Sequence, residues 1–300
     1  MAAPVEVRRF LHVNYNCTDI ELLEQFYVGT LGLKTVMKSE SSGGNATPFG
    51  MFGIESASKA TFVYDHRGGK WSNAFELVQW VQPQTIGAVY PSPWCRGIQS
   101  SAYSAEDLDG VATRAVQLGG AVVRRGTTWV LLTDPEGAYV EVQQAAGLSE
   151  AKYLRIVCSD LQRSVQWWQG IGFTPTDLPS PPTGEIWPET DGRVVTAEQA
   201  MVPTDDRFGI ILTTWSGDTP IGPTYAMPYH QGLYRMAMAV DDARGAAATL
   251  VDNGVGRQNY YTFQLPGTKL TDGLTMVFIR DPDGILVELV DRPRIGPRPV

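Results

Sequence analysis

Only three histidines occur in these 300 residues, and one of them, His12, stands in the alternating stretch His12-Val13-Asn14-Tyr15-Asn16. Successive side chains of a strand point to opposite faces, so His12, Asn14 and Asn16 share one face, polar where a core face would be apolar. Two carboxylates sit in comparable settings. Glu141 lies between Val140 and Val142, with Tyr139 and Gln143 on its own face, and Glu76 lies between Phe75 and Leu77. With the valines against a core, Glu141 points into a cavity, where an unpaired carboxylate is strongly disfavoured or is driven neutral. It needs a metal ion, an arginine or a water network. His66 falls in a turn and His230 in a proline-flanked connection, settings that fit exposed or capping groups. His230 stays in reserve, because a loop at that point can reach a cavity.

The elements that must position these groups form an internal repeat. The stretch 11–33 reads as a strand, then Thr18-Asp19 as a helix cap, then a helical period of Ile20, Leu23, Phe26 and Leu31 closed by Gly32. The stretch 152–173 repeats it, with Cys158-Ser159-Asp160-Leu161 on Cys17-Thr18-Asp19-Ile20 and Gly172 on Gly32. Weaker copies run over 97–120 and 232–254, each with an acidic helix start and a closing glycine. Strand-like runs follow each copy. In the second and fourth they include Asp134-Pro-Glu-Gly137 and Asp281-Pro-Asp-Gly284, a type I turn signature that announces a hairpin. The unit is strand, helix and about three antiparallel strands, four times over. Proline-rich connections at 82–95 and 216–229 separate units one from two and three from four, the join at 146–150 is short, and long polar insertions are expected at 38–60 and 174–206.

A formal net charge of -8 without any basic run argues against nucleic acid or an anionic membrane as partner. No apolar segment approaches the roughly 20 residues that span a bilayer, and the first residues lack the apolar core of a signal peptide, so a cytoplasmic location is expected. Cys17, Cys95 and Cys158 are too few and too scattered for a disulfide framework or a thiolate metal site. A small molecule is the expected partner, and a homodimer is compatible with the pattern.

A fourfold βαβββ unit with a His on its first strand and a Glu on its last resembles the vicinal oxygen chelate superfamily. That group includes glyoxalase I, extradiol dioxygenases, methylmalonyl-CoA epimerase, fosfomycin-resistance enzymes and bleomycin-binding proteins. The resemblance runs from residue 8 to residue 292. It implies an α+β fold in which four βαβββ units pair into two tandem glyoxalase-like domains, 1–148 with a metal cup and 149–300 with a degenerate one. In that family the metal ligands come from the first and last strands of both units of a cup. His12, seven residues before Asp19, and Glu141, seven after Asp134, fall on ligand positions, as does Glu76 on the last strand of unit one. Unit two departs, with Ser100 where a His is expected. In the second half Tyr153, Ile211 and Arg235 replace ligands and only Glu288 remains. An arginine cannot ligate a metal but can neutralise a carboxylate, so Arg235 and Glu288 are expected to pair in place of a lost ion.

The resemblance therefore implies one divalent ion, Mg, Mn, Zn or Fe(II), held by His12, Glu76 and Glu141, with Asn14, Asn16, Ser100, Ser104, Tyr139 and Gln143 as substrate contacts. Glu141 or Glu76 would remove a proton α to a metal-bound carbonyl, making the protein an isomerase, epimerase or lyase working through an enediolate. Two other readings stand: a non-haem Fe(II) dioxygenase of the extradiol type, and a metal-free small-molecule binding or resistance protein. Pairing of the units is a further alternative. Units one and two are expected to share a cup. If units pair across the halves instead, His12 and Glu76 meet Arg235 and Glu288, and Glu141 falls in a cup without metal. The second cup serves as scaffold, dimer surface or second ligand pocket.

Overall fold

The structure is a computed structural model and describes residues 5–45, 55–218, 220, 227–252, 257–263 and 274–291. Unit one comprises β1 (Val7–Cys17), α1 (Ile20–Leu31), β2 (Lys34–Asn45), β3 (Glu55–Tyr64) and β4 (Ala74–Gln82). Unit two comprises β5 (Gly97–Ala105), α2 (Leu108–Gln117), β6 (Ala121–Arg125), β7 (Trp129–Thr133) and β8 (Tyr139–Gln144). Unit three has β9 (Glu150–Val157), α3 (Leu161–Gly170), β10 (Thr174–Thr176), a one-turn helix α4 (Thr183–Ile186), β11 (Val195–Val202) and β12 (Gly209–Trp215). Unit four has β13 (Gly232–Val240), α5 (Ala243–Asp252), β14 (Arg257–Phe263), β15 (Leu274–Arg280) and β16 (Leu286–Asp291). The insertion expected at 38–60 is in large part strand: β2 and β3 run on as a long hairpin, and 46–54 lies outside the described residues.

Local chemistry sets these boundaries. The Asp19 carboxylate accepts from Leu22 N at 2.9 Å, Asp107 from Gly110 N at 2.8 Å and Asp160 from Arg163 N at 3.0 Å, each occupying an amide that a first helical turn leaves unbonded. Gly32 ends α1 in the left-handed region, φ 69°, with its N–H bonded to Val28 O.

The strands form two eight-stranded sheets, in the orders β14-β15-β16-β13-β1-β4-β3-β2 and β10-β11-β12-β9-β5-β8-β7-β6. β1 is antiparallel to β13 and parallel to β4, and β5 is antiparallel to β9 and parallel to β8. Unit one thus shares a cup with unit four and unit two with unit three, correcting the expectation of sequential pairing. The reason lies in the connections. The long linkers 82–95 and 216–229 carry the chain from one sheet to the other, whereas the short join after β8 keeps β9 in the sheet it has just left. A division at 148 separates the sequence repeats, while each sheet draws one unit from either side of it.

One core serves both sheets. Val13, Tyr15, Cys17, Leu23 and Phe26 of unit one pack in the same cluster as Val130 and Val142 of unit two, Leu154 and Trp168 of unit three, and Met236 and Leu289 of unit four. Cys17 and Cys158 are buried free thiols in that cluster. The hairpin turns of units two and four also reach across. Glu136 Oε1 accepts from Thr18 N, Thr18 Oγ1 and Asp19 N, all at 2.8 Å. Asp283 repeats this at the entry to α3, accepting from Ser159 N at 2.9 Å and Ser159 Oγ at 2.5 Å. No helix among the described residues is long and apolar enough to cross a membrane.

Candidate functional site

β1 turns Val13, Tyr15 and Cys17 to the core and His12, Asn14 and Asn16 to the cup. It lies between β13 and β4, so register decides what meets on the cup floor. Asn14 stands opposite Arg235 on one side and Glu76 on the other; His12 stands opposite Ala237, which in turn faces Glu288. The result is one charged cluster. Arg235 Nη2 donates to Glu76 Oε2 at 2.9 Å and its Nε to Glu288 Oε2 at 3.2 Å. His12 Nε2 lies 3.4 Å from Glu76 Oε2 and 3.8 Å from Glu288 Oε2, and its ring packs edge-on to Phe62.

Glu76, Arg235 and Glu288 are all buried. Burial alone would lower the Arg235 pKa, but the two carboxylates outweigh it and raise it, so the guanidinium stays charged. The expected Arg235–Glu288 pair is present, and it extends to Glu76. Among the described residues, His12 Nε2 and both amide atoms of Asn14 are buried without a hydrogen-bond partner, so those residues do not exhaust the polar capacity of this floor. Asn16 differs. Its Nδ2 donates to Pro228 O and His230 O, both at 2.8 Å, and its Oδ1 accepts from Trp80 Nε1 at 3.1 Å, so it pins the linker before β13.

Glu141 belongs to the other cup, which corrects its expected place beside His12 and Glu76. There Arg155 holds it through two bonds, Nε to Oε1 at 2.8 Å and Nη2 to Oε2 at 3.1 Å. Ser100 Oγ donates to Oε1 at 2.6 Å, Tyr153 Oη to Oε2 at 2.6 Å and Trp187 Nε1 to Oε1 at 3.3 Å. Burial would raise the carboxyl pKa, but the Arg155 charge and these donors bring it below the ordinary value. Five bonds leave Glu141 no free lone pair for a metal or a substrate proton. Ser100, expected as a substrate contact beside His12, is instead a donor to this carboxylate. Ser104 is buried on the same face, Tyr139 packs edge-on to Trp187 at 5.0 Å, and Gln143 reaches a separate cavity. These four do not share a cavity with Asn14.

Arg155 and Trp187 were not among the expected site residues. Arg155 is two residues beyond Tyr153, hence on the same strand face, and a charge inside Tyr153-Leu154-Arg155-Ile156-Val157 is the signal that points to it. Trp187 arrives from the 174–206 insertion, whose position over the cup no local pattern encodes.

A divalent ion does not fit the side chains present. Among the described residues no group of three or more His, Cys, Asp and Glu is arranged to hold one. The nearest approach is His12 with Glu76 and Glu288, and there the Arg235 guanidinium already bonds the two Oε2 atoms that face the imidazole. Unit charges about 4 Å apart interact by about 4 kcal/mol at an effective dielectric of about 20, and a divalent ion beside a guanidinium doubles that as repulsion.

Residues 151–289 match the family model of the Glyoxalase/Bleomycin resistance protein/Dioxygenase superfamily. No curated protein matches the chain. Among solved structures, glyoxalase I from Zea mays superposes with a TM-score of 0.65 at 18% identity, covering 94% of this chain and 92% of that one. A putative dioxygenase from Bacillus subtilis gives 0.61 at 12% identity, covering 96% and 87%. At these identities the likeness is one of fold.

Proposed function

We propose that this chain binds a small oxygenated molecule in the cup of units one and four, on a floor whose cation is Arg235 rather than a divalent metal ion; the match of residues 151–289 to the Glyoxalase/Bleomycin resistance protein/Dioxygenase superfamily supports a small-molecule ligand. One observation carries this reading: a single guanidinium bonds both Glu76 and Glu288. It supplies the positive charge that two buried carboxylates require, in the place where the family resemblance calls for a metal ligand. Asn14 and His12 then offer the ligand polar atoms that have no hydrogen-bond partner among the described residues. Of the three readings open at the level of sequence, this is the metal-free one.

The position of His12 Nε2, 3.4 Å from Glu76 Oε2, also favours a second reading, in which the bound molecule is transformed. An imidazole beside a carboxylate can take and return a proton, and Arg235 can steady the charge that develops on an oxygen. Isomerase, epimerase and lyase chemistry all reduce to that step.

The test is metal content and metal affinity. Protein purified without chelator should carry well below one Zn, Mn, Ni or Fe per chain by mass spectrometry, and calorimetric titration with each ion should show no site. Arg235→His, which removes the guanidinium and supplies a donor, should gain a divalent site at least a hundredfold tighter than the parent's residual affinity. One tightly held ion per chain in the parent, lost on Glu76→Gln, would overturn the proposal and return the metal-dependent enzyme.

A further inference from the structure

The cup of units two and three already holds an aromatic ring supplied by the chain itself. Trp187, from the insertion between β10 and β11, lies in one apolar cluster with Trp129, Leu131, Val157 and Trp215, and its ring meets Tyr139 edge-on at 5.0 Å. At the floor its Nε1 donates to Glu141 Oε1 at 3.3 Å, the longest of the five bonds on that carboxylate. Glu198 of β11 links the same segment to the floor, accepting from Thr183 Oγ1 and, at 3.3 Å, from Arg155 Nη1.

This ring is held by little else. Between β10 and β11 only Pro181, Ile186 and Trp187 are buried. The helix before it, α4, is a single turn whose N-cap residue, Pro182, makes no side-chain capping bond, and a helix so short has no stability of its own. A cavity of about 310 Å³ opens between the segment and β11, lined by Thr183, Trp187 and Pro188 on one side and Val195 and Glu198 on the other. Few buried contacts beside an open groove are the marks of a segment that opens locally while the sheet beneath stays folded. The fit is also incomplete. Trp215 shares the cup face of β12 with Ile211 and Thr213, and its buried Nε1 has no hydrogen-bond partner among the described residues.

We infer that the cup of units two and three is a binding site for a neutral planar aromatic molecule bearing a ring N–H, kept closed by Trp187, which such a ligand displaces. The aromatic walls select a flat ring, and the Glu141 oxygen vacated by Trp187 selects an N–H donor. A neutral ligand is preferred because Glu141 and Arg155 already neutralise each other, so a charge buried there would have no counterion. The site is independent of the floor formed by His12, Asn14 and Arg235.

The probe is indole, set against 1-benzothiophene, which has the same shape and no N–H. In the parent, millimolar indole should release the plug, so hydrogen exchange over residues 183–190 should accelerate severalfold while β9 and β12 stay protected. By calorimetric titration Trp187→Gly should bind one indole per chain, roughly tenfold or more tightly than the parent, whose affinity is reduced by the small fraction of time its plug is out. Benzothiophene should bind that variant roughly tenfold more weakly than indole, as loss of a hydrogen bond to a charged group requires. Trp187→Phe, which keeps a ring and loses the N–H, should fall between the parent and Trp187→Gly, and with the exchange measurement it decides the matter if the glycine variant does not fold. No acceleration in the parent, acceleration throughout the sheet, equal affinity for benzothiophene, or an indole affinity unchanged by substitution of Trp187 would each overturn the assignment.

Discussion

Arg235 Nη2 donates to Glu76 Oε2 at 2.9 Å, joining residues 159 apart in sequence and tying the last unit of the chain to the first. The same guanidinium bonds Glu288, so two buried carboxylates depend on one cation. Arg235→Leu should therefore lower the stability of the fold by about 3–5 kcal/mol, the range for a buried charge stripped of its partner. Urea unfolding at pH 7 measures this. Adding Glu76→Gln and Glu288→Gln to the same chain should restore most of the loss, and a failure to restore any would mean that Arg235 acts through packing.

The Glu141–Arg155 pair should behave alike but separately. Arg155→Met should cost about 3–5 kcal/mol, with much of it regained in the double variant with Glu141→Gln. Glu141 has a folded pKa below its ordinary value. Its contribution is present above the unfolded carboxyl value and is lost as pH falls through the folded one, so the parent should weaken on the acid side and the double variant should do so less. Unfolding midpoints between pH 3 and pH 6 decide it.

Asp134 and Asp281 run in the opposite direction. Burial pushes each up to about 7, although Asp134 accepts from Tyr27 Oη at 3.0 Å and from the amides of Glu136 and Ala138. A carboxyl whose folded pKa is raised stabilises the fold below its unfolded value, and that contribution disappears as pH rises through the folded one. Stability should fall by roughly a few kcal/mol between about pH 4 and pH 7 on this account. Asp134→Asn keeps an acceptor for the turn and should flatten that slope, measured as unfolding free energy against pH.

The two turn carboxylates that cap the neighbouring unit should act as a matched pair. Glu136→Ala and Asp283→Ala should each cost about 1–2 kcal/mol, as loss of a helix cap does. Hydrogen exchange should localise the effects, with faster exchange at the first turn of α1 in one variant and of α3 in the other. Uniform acceleration over the whole chain would mean that these contacts hold the sheets together and do not cap.

Much of the fold is legible in the sequence because its signals are local. Cys17-Thr18-Asp19 and Cys158-Ser159-Asp160 mark two helix entries, and Asp134-Pro-Glu-Gly137 and Asp281-Pro-Asp-Gly284 mark two hairpins, each formed by neighbours in the chain. The Arg235–Glu288 pair was legible for a related reason, since both residues hold equivalent strand positions within one unit. The partner of β1 was not. β5 and β13 are both buried along their whole length, and nothing near residue 12 distinguishes them. Glu141 was misplaced with the pairing, and Arg155 was overlooked because alignment on the helix entry selects Tyr153, one pleat away.

The pairing of the first unit with the fourth, around the second and third, makes the chain nested like brackets. During synthesis the inner pair can complete its sheet while the last unit is still unmade, whereas β1 leaves the ribosome with no lateral neighbour except β4 until β13 appears more than 200 residues later. The opening unit must therefore wait with one flank of its first strand uncovered, and that interval, rather than any weakness of the finished molecule, is where association with another chain becomes a hazard.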